Sequence, residues 1–463
     1  MSTPYDPWRA GAISLDIVAV ARATAQGLQR RQAQRLAALV DVAAERSPLY
    51  RKLLGPRSAA PVPLDALPVT TKSNLMQHFD EWVTDPRLRL SRVRRFIDDP
   101  RRVGQTFLER YVVWESSGSS GEPGVFVQDE ASLEVCYALE ALRRRPLQPA
   151  RRGWDPCYLA ERLAFVGATT GHFASVVSVE RLRHLNPWVA ASTHSFSFLQ
   201  STAALVEQLN RYAPTIVATY PTAALLLSEE AMAGRLRIAP NEIWTGGETL
   251  TDAERRQVAE RFGCPVSSSY GASEFLSLAS ECRFGRLHLN SDWAILESVD
   301  AQGRPVPAGA AGHTVLLTNL ANHVQPLIRY DLGDRVTFAA APCRCGSALP
   351  AIEVDGRADD SVLLRDEQGH DVRLLPLALT TVLEDRAGVY NFQLEQEDAN
   401  SLLLRVAAAG SAGESALRRA RTALRSYLCE QGLPQVRLHG HCGAPSRRGA
   451  SGKVQRVVGL ASH

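Results

Sequence analysis

Ser116-Ser117-Gly118-Ser119-Ser120-Gly121-Glu122-Pro123 gathers hydroxyls and glycines in one short stretch and closes on a proline. Glycine lets a backbone approach a ligand closely and adopt positive φ. Backbone N–H groups and serine hydroxyls can then donate to an anion, which suits phosphate oxygens. Taken alone, the stretch reads as a linker. Further segments downstream carry chemistry of a compatible kind. Ser269-Tyr270-Gly271-Ala272-Ser273-Glu274 sets an aromatic face, a tight turn and a carboxylate together. Tyr can stack on a purine, and Glu can hold Mg²⁺ beside phosphates. Arg329-Tyr330-Asp331-Leu332-Gly333-Asp334 puts a carboxylate after a glycine turn, where it can chelate ribose hydroxyls. Gly356-Arg357-Ala358-Asp359-Asp360 adds an arginine that can reach the same ribose. Ser451-Gly452-Lys453-Val454-Gln455-Arg456 carries a lysine in a glycine-flanked loop, able to neutralise developing phosphate charge. Each of these also fits an ordinary structure: a strand-end turn, a surface turn, a polar linker, a frayed basic tail.

The elements around them imply an α/β body. Residues 28–47 read as an amphipathic helix, with Leu36, Leu39, Val40 and Ala43 on one stripe, ended by Pro48. Thr71-Lys72-Ser73 opens another short helix. Thr215–Thr219 reads as a buried strand, and His313–Leu320 as a strand after a Gly/Pro-rich turn. Thr251-Asp252-Ala253-Glu254 has capping-box spacing and predicts a helix running to Gly263. A short strand, Pro265–Ser268, then delivers the Tyr270 motif to a strand tip, where ligands bind in α/β folds. This alternation predicts a large domain of mixed sheets and helices over residues 1–358. Residues 359–463 predict a smaller α+β domain, with strands at Tyr390–Glu397 and Leu402–Ala407 and a helix at Ser415–Glu430.

Composition bounds the rest. The chain has 463 residues, 45% of them hydrophobic, enough for two or three cores. A net charge of +3 gives no reason to expect nucleic acid or an anionic membrane as partner. No run approaches the roughly 18 apolar residues of a membrane span. The N-terminus lacks a basic-then-apolar leader pattern, so the expected location is the cytoplasm. The long N-terminal helix offers a contact for a homodimer.

In order and spacing, these segments resemble the adenylate-forming superfamily, and its phenylacetate–CoA ligase-like branch in particular. The resemblance spans nearly the whole chain. It includes Glu45–Arg51, Leu67-Pro68-Val69-Thr70-Thr71-Lys72 and Trp244-Thr245-Gly246-Gly247-Glu248. It implies a mobile C-terminal domain and a two-step reaction. A carboxylate attacks the α-phosphate of ATP, giving acyl-adenylate and pyrophosphate; a thiol, most plainly that of coenzyme A, then displaces AMP. It implies that Ser116, Ser117, Gly118, Ser119, Ser120 and Gly121 hold the ATP phosphates. Gly246, Gly247 and Glu248 line the adenine side, and Ser269, Tyr270, Gly271, Ala272 and Ser273 form the wall on which adenine packs. Glu274 holds Mg²⁺, Asp334 and Arg357 bind ribose, Asp359 is the hinge, and Lys453 contacts the α-phosphate and the carboxylate. One position departs from the family: Glu122 stands where lysine is common. A carboxylate near polyphosphate is repulsive by about 1 kcal/mol in water.

Two further groups stand out. Cys343-Arg344-Cys345 puts two thiols in one turn, with Cys282 and His288 upstream. Three thiolates and an imidazole suit a tetrahedral, structural zinc, with buried free thiols as the alternative. Cys136, Cys157 and Cys264 read as core cysteines. For the acid pocket the expectation is Trp114, His172, Tyr220 and Phe275, whose aromatic character favours an aromatic or planar acid. An amine, a carrier-protein thiol or nitrite remains open as the partner of adenylation. A catalytically silent nucleotide-binding protein is the competing class.

Overall fold

The computed structural model describes residues 6–20, 23–55, 63–116, 123–145, 147–155, 158–355, 361–443 and 455–460. Residues Ser117 to Glu122, Arg357, Asp359, Lys453 and Cys157 therefore lie outside the described residues. In chain order the first strands are β1 (Val112–Glu115), β2 (Val125–Gln128), β3 (Leu163–Gly167), β4 (Thr193–Ser197), β5 (Ile216–Thr219), β6 (Glu242–Gly246) and β7 (Val266–Ala272). Then come β8 (Phe275–Glu281), β9 (Leu287–Leu289), β10 (Ala294–Val299), β11 (Thr314–Asn319), β12 (Tyr330–Asp331), β13 (Arg335–Phe338) and β14 (Ala351–Asp355). The C-terminal part adds β15 (Val362–Arg365), β16 (Asp371–Leu374), β17 (Phe392–Asp398), β18 (Ser401–Val406), β19 (Arg437–Cys442) and β20 (Val457–Val458).

A nine-stranded sheet with the order β13-β14-β9-β8-β7-β6-β5-β3-β4 organises the body. Its β4, β3, β5, β6 and β7 are parallel. Ala164, Val166, Val217 and Ile243 on these strands are buried in one apolar cluster, as two-sided parallel sheets require. Beyond β7 the sheet turns antiparallel through β8, β9, β14 and β13. The helix Ala25–Arg46, capped by Thr24, matches the amphipathic expectation. The capping box at Thr251 and Glu254 starts the helix Asp252–Phe262, and Gly263 ends it at φ 62°.

One expectation needs correction. The strand expected at 265–268 runs on to Ala272, so the Tyr270 motif is part of β7 itself. The ladder between β7 and β8 shifts register between Tyr270 and Ala272, a bulge at Gly271. A Cβ at Gly271 would stand 2.0 Å from Leu276 O, closer than any side chain can approach a backbone oxygen. Glycine is thus what lets β7 keep pairing while its tip bends toward the ligand side.

The C-terminal part forms a four-stranded sheet, β19-β18-β17-β20, against the helix Gly410–Glu430, which begins five residues before the expected 415. Ala420, Leu424 and Leu428 on that helix are fully or nearly buried. The nine-stranded sheet draws only on residues up to Asp355, and the four-stranded sheet starts at Phe392. The expected 358/359 boundary itself falls outside the described residues. The two parts touch directly. Arg373 donates to both carboxylate oxygens of Glu229 at 2.6 and 2.9 Å, and Gln431 Nε2 to the carbonyls of Leu199 and Gln200.

Gly271→Ala should cost about 1–3 kcal/mol through overpacking against Leu276. Denaturant unfolding measured beside Gly11→Ala, where a Cβ meets nothing within 4 Å, checks this.

Candidate active site

The tip of β7 is a fastened turn. Trp114 Nε1 donates to Ser273 O at 2.8 Å, and Asn319 Nδ2 donates to Glu274 O at 2.9 Å. The two carbonyls are thereby held by buried side chains from β1 and β11. The Glu274 side chain accepts from Tyr330 Oη at 2.8 Å. Tyr330 is aimed by its neighbour Arg329, which takes φ 46° and donates to Glu297 at 3.1 Å and to the carbonyls of Asp65 and Leu67. A non-glycine residue in that region of φ persists only where its surroundings determine it. Tyr270 Oη donates to Asp334 Oδ2 at 2.9 Å, so the second and third motifs are joined through their side chains.

Electrostatics sharpen the picture. Burial pushes the Glu274 carboxyl up, while the Lys72 ammonium and the Tyr330 hydroxyl oppose that shift. Burial, followed by the Asp334 charge, holds the Tyr270 phenol well above its usual range, so it stays a donor. Lys72, at the start of the helix Lys72–Gln77, also lies 3.5 Å from Ser116 Oγ, the described first residue of the serine-glycine loop. Ser116 Oγ in turn accepts from Gly124 N at 3.0 Å, across the loop's two ends.

The residues expected on the adenine side are held as tightly. Gly247 takes φ 80°, and a Cβ there would meet the Tyr220 ring at 2.8 Å. The Glu248 carboxylate accepts from Thr222 N at 3.0 Å and Thr222 Oγ1 at 2.8 Å, at the N-terminus of the helix Pro221–Met232. That carboxylate serves as a helix cap, leaving the backbone of 246–248 toward the cavity.

These residues share one cavity of about 2340 Å³. Its wall includes Lys72, Ser116, Gly246, Gly247, Glu248, Ser269, Tyr270, Gly271, Ala272, Ser273, Glu274 and Asp334. Of the residues expected on the acid pocket, Tyr220 lines it. Trp114, Phe275 and His172 do not: each is at most 1% exposed and belongs to the core behind the wall. Trp114 acts through the Ser273 carbonyl, and His172 packs edge-on against Phe96 at 5.8 Å. Aromatic type near a motif cannot separate lining from packing, which explains the miss. Two polar participants join the site without a role expected from the sequence: Lys72, and Tyr330, which reaches Glu274 from a distant segment.

At the far end of β8 lies a second constellation. The ligating atoms of Cys282, His288, Cys343 and Cys345 all lie within 4.8 Å of one another. Cys282 and Cys343 sulfurs are 3.8 Å apart, the separation that two zinc–sulfur bonds of about 2.3 Å subtend in a tetrahedron. His288 Nδ1 donates to Leu349 O at 2.8 Å, which turns Nε2 toward Cys345 Sγ at 3.3 Å. The Cys345 backbone N–H is the main cause that brings the Cys343 thiol down to about 6, favouring thiolate. The donor set fits zinc with no ligand position left open.

No family model matches the chain. A protein named phenylacetate-coenzyme A ligase from Thermus thermophilus is 27% identical over 356 residues, covering 73% of this chain and 72% of that one. One of the same name from Aromatoleum evansii is 24% identical over 369 residues, covering 76% and 75%. Among solved structures, 2-hydroxyisobutyryl-CoA ligase with 2-HIB-AMP and CoA in its thioesterification state superposes with a TM-score of 0.58 at 19% identity, over 95% of this chain and 91% of that one. The same enzyme in an open conformation gives 0.52 at 18% identity, over 92% and 90%. The fold is that of adenylate-forming enzymes. Within that superfamily the chain is similar to the phenylacetate–CoA ligases.

Lys72→Met removes the charge that opposes burial, so Glu274 should titrate at higher pH than in the unaltered protein. Infrared titration of the carboxyl bands, with Glu274→Gln to assign the band, checks the direction.

Proposed function

We propose that this chain is an AMP-forming acid–CoA ligase. It activates a carboxylic acid as its acyl-adenylate and passes the acyl group to coenzyme A. The observation that carries this reading is the convergence of Tyr270, Asp334, Glu274, Lys72 and Ser116 on one cavity. A carboxylate is a poor electrophile, and its mixed anhydride with AMP supplies a good leaving group. In-line attack at phosphorus needs positioning and charge stabilisation more than covalent help. In this reading Mg²⁺ enters with ATP as substrate, and Glu274 is its carboxylate ligand. Tyr270 packs on adenine, Asp334 and Arg357 take the ribose, and the serine-glycine loop takes the β- and γ-phosphates. Lys72 supplies a cation beside the loop in which Glu122 replaces the usual lysine.

Asp359 serves as the hinge, and Lys453 meets the α-phosphate when the C-terminal part turns. The segment after Lys453 is anchored: Arg456 donates to Glu384 at 2.7 Å and to Tyr390 O at 3.0 Å. An aromatic acid is the favoured substrate, supported by Tyr137, Phe165, Phe173 and Tyr220 on the cavity wall. CoA as acceptor is supported by the activity that names the relatives. The cysteine–histidine cluster holds a structural zinc that ties the β8–β9 turn to the β13–β14 connection. Among the described residues no helix is long and apolar enough to cross a membrane, and a cytoplasmic setting belongs to the same reading.

Acid-dependent exchange of pyrophosphate into ATP, followed by AMP release on adding CoA, tests the reaction. Aromatic acids should support exchange, and Lys453→Ala should lower it by on the order of 10²-fold or more. Normal exchange in K453A removes that lysine from adenylation, and no exchange with any acid defeats the ligase reading.

Metal analysis of gently purified protein should find zinc in equimolar amount. Cys345→Ser should lose the metal and melt several degrees lower. A substoichiometric content counts against the site.

A further inference from the structure

The cavity wall carries one more set of ionisable groups, where the C-terminal part meets the body. Glu115 ends β1, immediately before Ser116, and its side chain lines the cavity. Its backbone is tied down, with N–H donating to His172 O at 2.8 Å. Glu384 and Asp385 face it from the turn Val382–Arg386 of the C-terminal part. Glu384 also lines the cavity. Asp385 Oδ2 lies 3.1 Å from where a Cβ on Gly171 would stand, so it abuts the turn after β3. The remaining charged and titratable groups around this contact are Arg94 and Asp98 from the helix Leu90–Ile97 and its cap, with Arg386, Tyr390 and Arg456 from the C-terminal part.

Burial, then the Glu384 charge, pushes Glu115 up to about 7. Burial, then the Glu115 charge, pushes Asp385 up to about 7. A carboxylate that holds its proton near neutrality is a far better base than an ordinary one and is still substantially ionised there.

Acyl transfer to a thiol needs such a group. The sulfur–hydrogen bond breaks and the sulfur–carbon bond forms. The bond from the acyl carbon to the phosphate oxygen breaks, and AMP leaves with those electrons. The thiol proton must pass to a base.

We propose that Glu115 is the general base of the transfer step, taking the thiol proton of CoA in the channel between the body and the C-terminal part. This rests on the acid–CoA ligase reading. The base is made by the domain arrangement: Glu384 raises the basicity of Glu115 only while it faces it. With that part turned away, Glu115 loses that charge and becomes a weaker base. The sign of the pH dependence follows. The active form is the carboxylate, so transfer should rise with pH through about 7. Removing a neighbouring negative charge should move that rise to lower pH.

The test uses the full chain loaded with preformed acyl-adenylate, mixed rapidly with CoA across the neutral range, with pyrophosphate exchange measured on the same preparations. Glu115→Gln should slow transfer by on the order of 10²-fold, far more than it changes exchange, and should lose the pH-dependent rise. Glu384→Gln should keep transfer at high pH and shift the rise downward. E115Q transferring as fast as the unaltered protein, or keeping the rise, overturns the base. A rise that stays in place in E384Q overturns the coupling to the C-terminal part. If the unaltered protein is silent in both half-reactions, the ligase reading falls and the base with it.

Discussion

The hydrogen bond from Tyr330 to Glu274 is the contact on which the rest of this site depends. A carboxylate buried at the end of a strand is costly unless something holds its charge. Tyr330 does part of that, and Lys72 does more through its field. For Tyr330 to reach, Arg329 must adopt a strained φ, and Glu297 with the carbonyls of Asp65 and Leu67 fixes it there. One buried carboxylate thus recruits the strand that carries it, the strand that faces it, and a loop from the first quarter of the chain.

The same economy of contacts sets the shape of the wall. Gly271 lets β7 bulge against Leu276, and Gly247 lets the β6 tip pass the Tyr220 ring. Both positions are close approaches of backbone to neighbour, where any side chain would push the wall into the cavity. Trp114 and Asn319 then fasten the Ser273 and Glu274 carbonyls from behind. The ligand face stays polar and open while its rear is dry and packed, which is how a rigid element presents a precise surface.

Charge distribution between the two parts adds a second layer. The body contributes Glu115 and Lys72 to the cavity, and the C-terminal part contributes Glu384 and Arg456. Arg456 pairs with Glu384 within its own part at 2.7 Å, and the Glu384 charge still raises Glu115 across the contact. A cation stands beside Ser116, and it comes from Lys72, 44 residues upstream.

Local sequence determined a good deal here. The helix after Thr251 follows from a capping box whose donors and acceptors lie within four residues. Strands β5 and β11 and the helix Gly410–Glu430 follow from apolar patterning, and the cysteine–histidine cluster from residue type alone. The order of the motifs was enough for the resemblance to adenylate-forming enzymes, because each segment keeps a distinct combination of residue types. What the linear chain could not express is which aromatic faces the cavity. Trp114, Phe275 and Tyr220 look alike as sequence, yet only Tyr220 lines it, since the others fill the core on which the wall rests. Nor could it express that Tyr330 serves Glu274, that Lys72 reaches Ser116, or that Glu115 meets Asp385 and Glu384. Those pairings join segments tens to hundreds of residues apart, and only the packing of the sheets and the seating of the C-terminal part bring them within range.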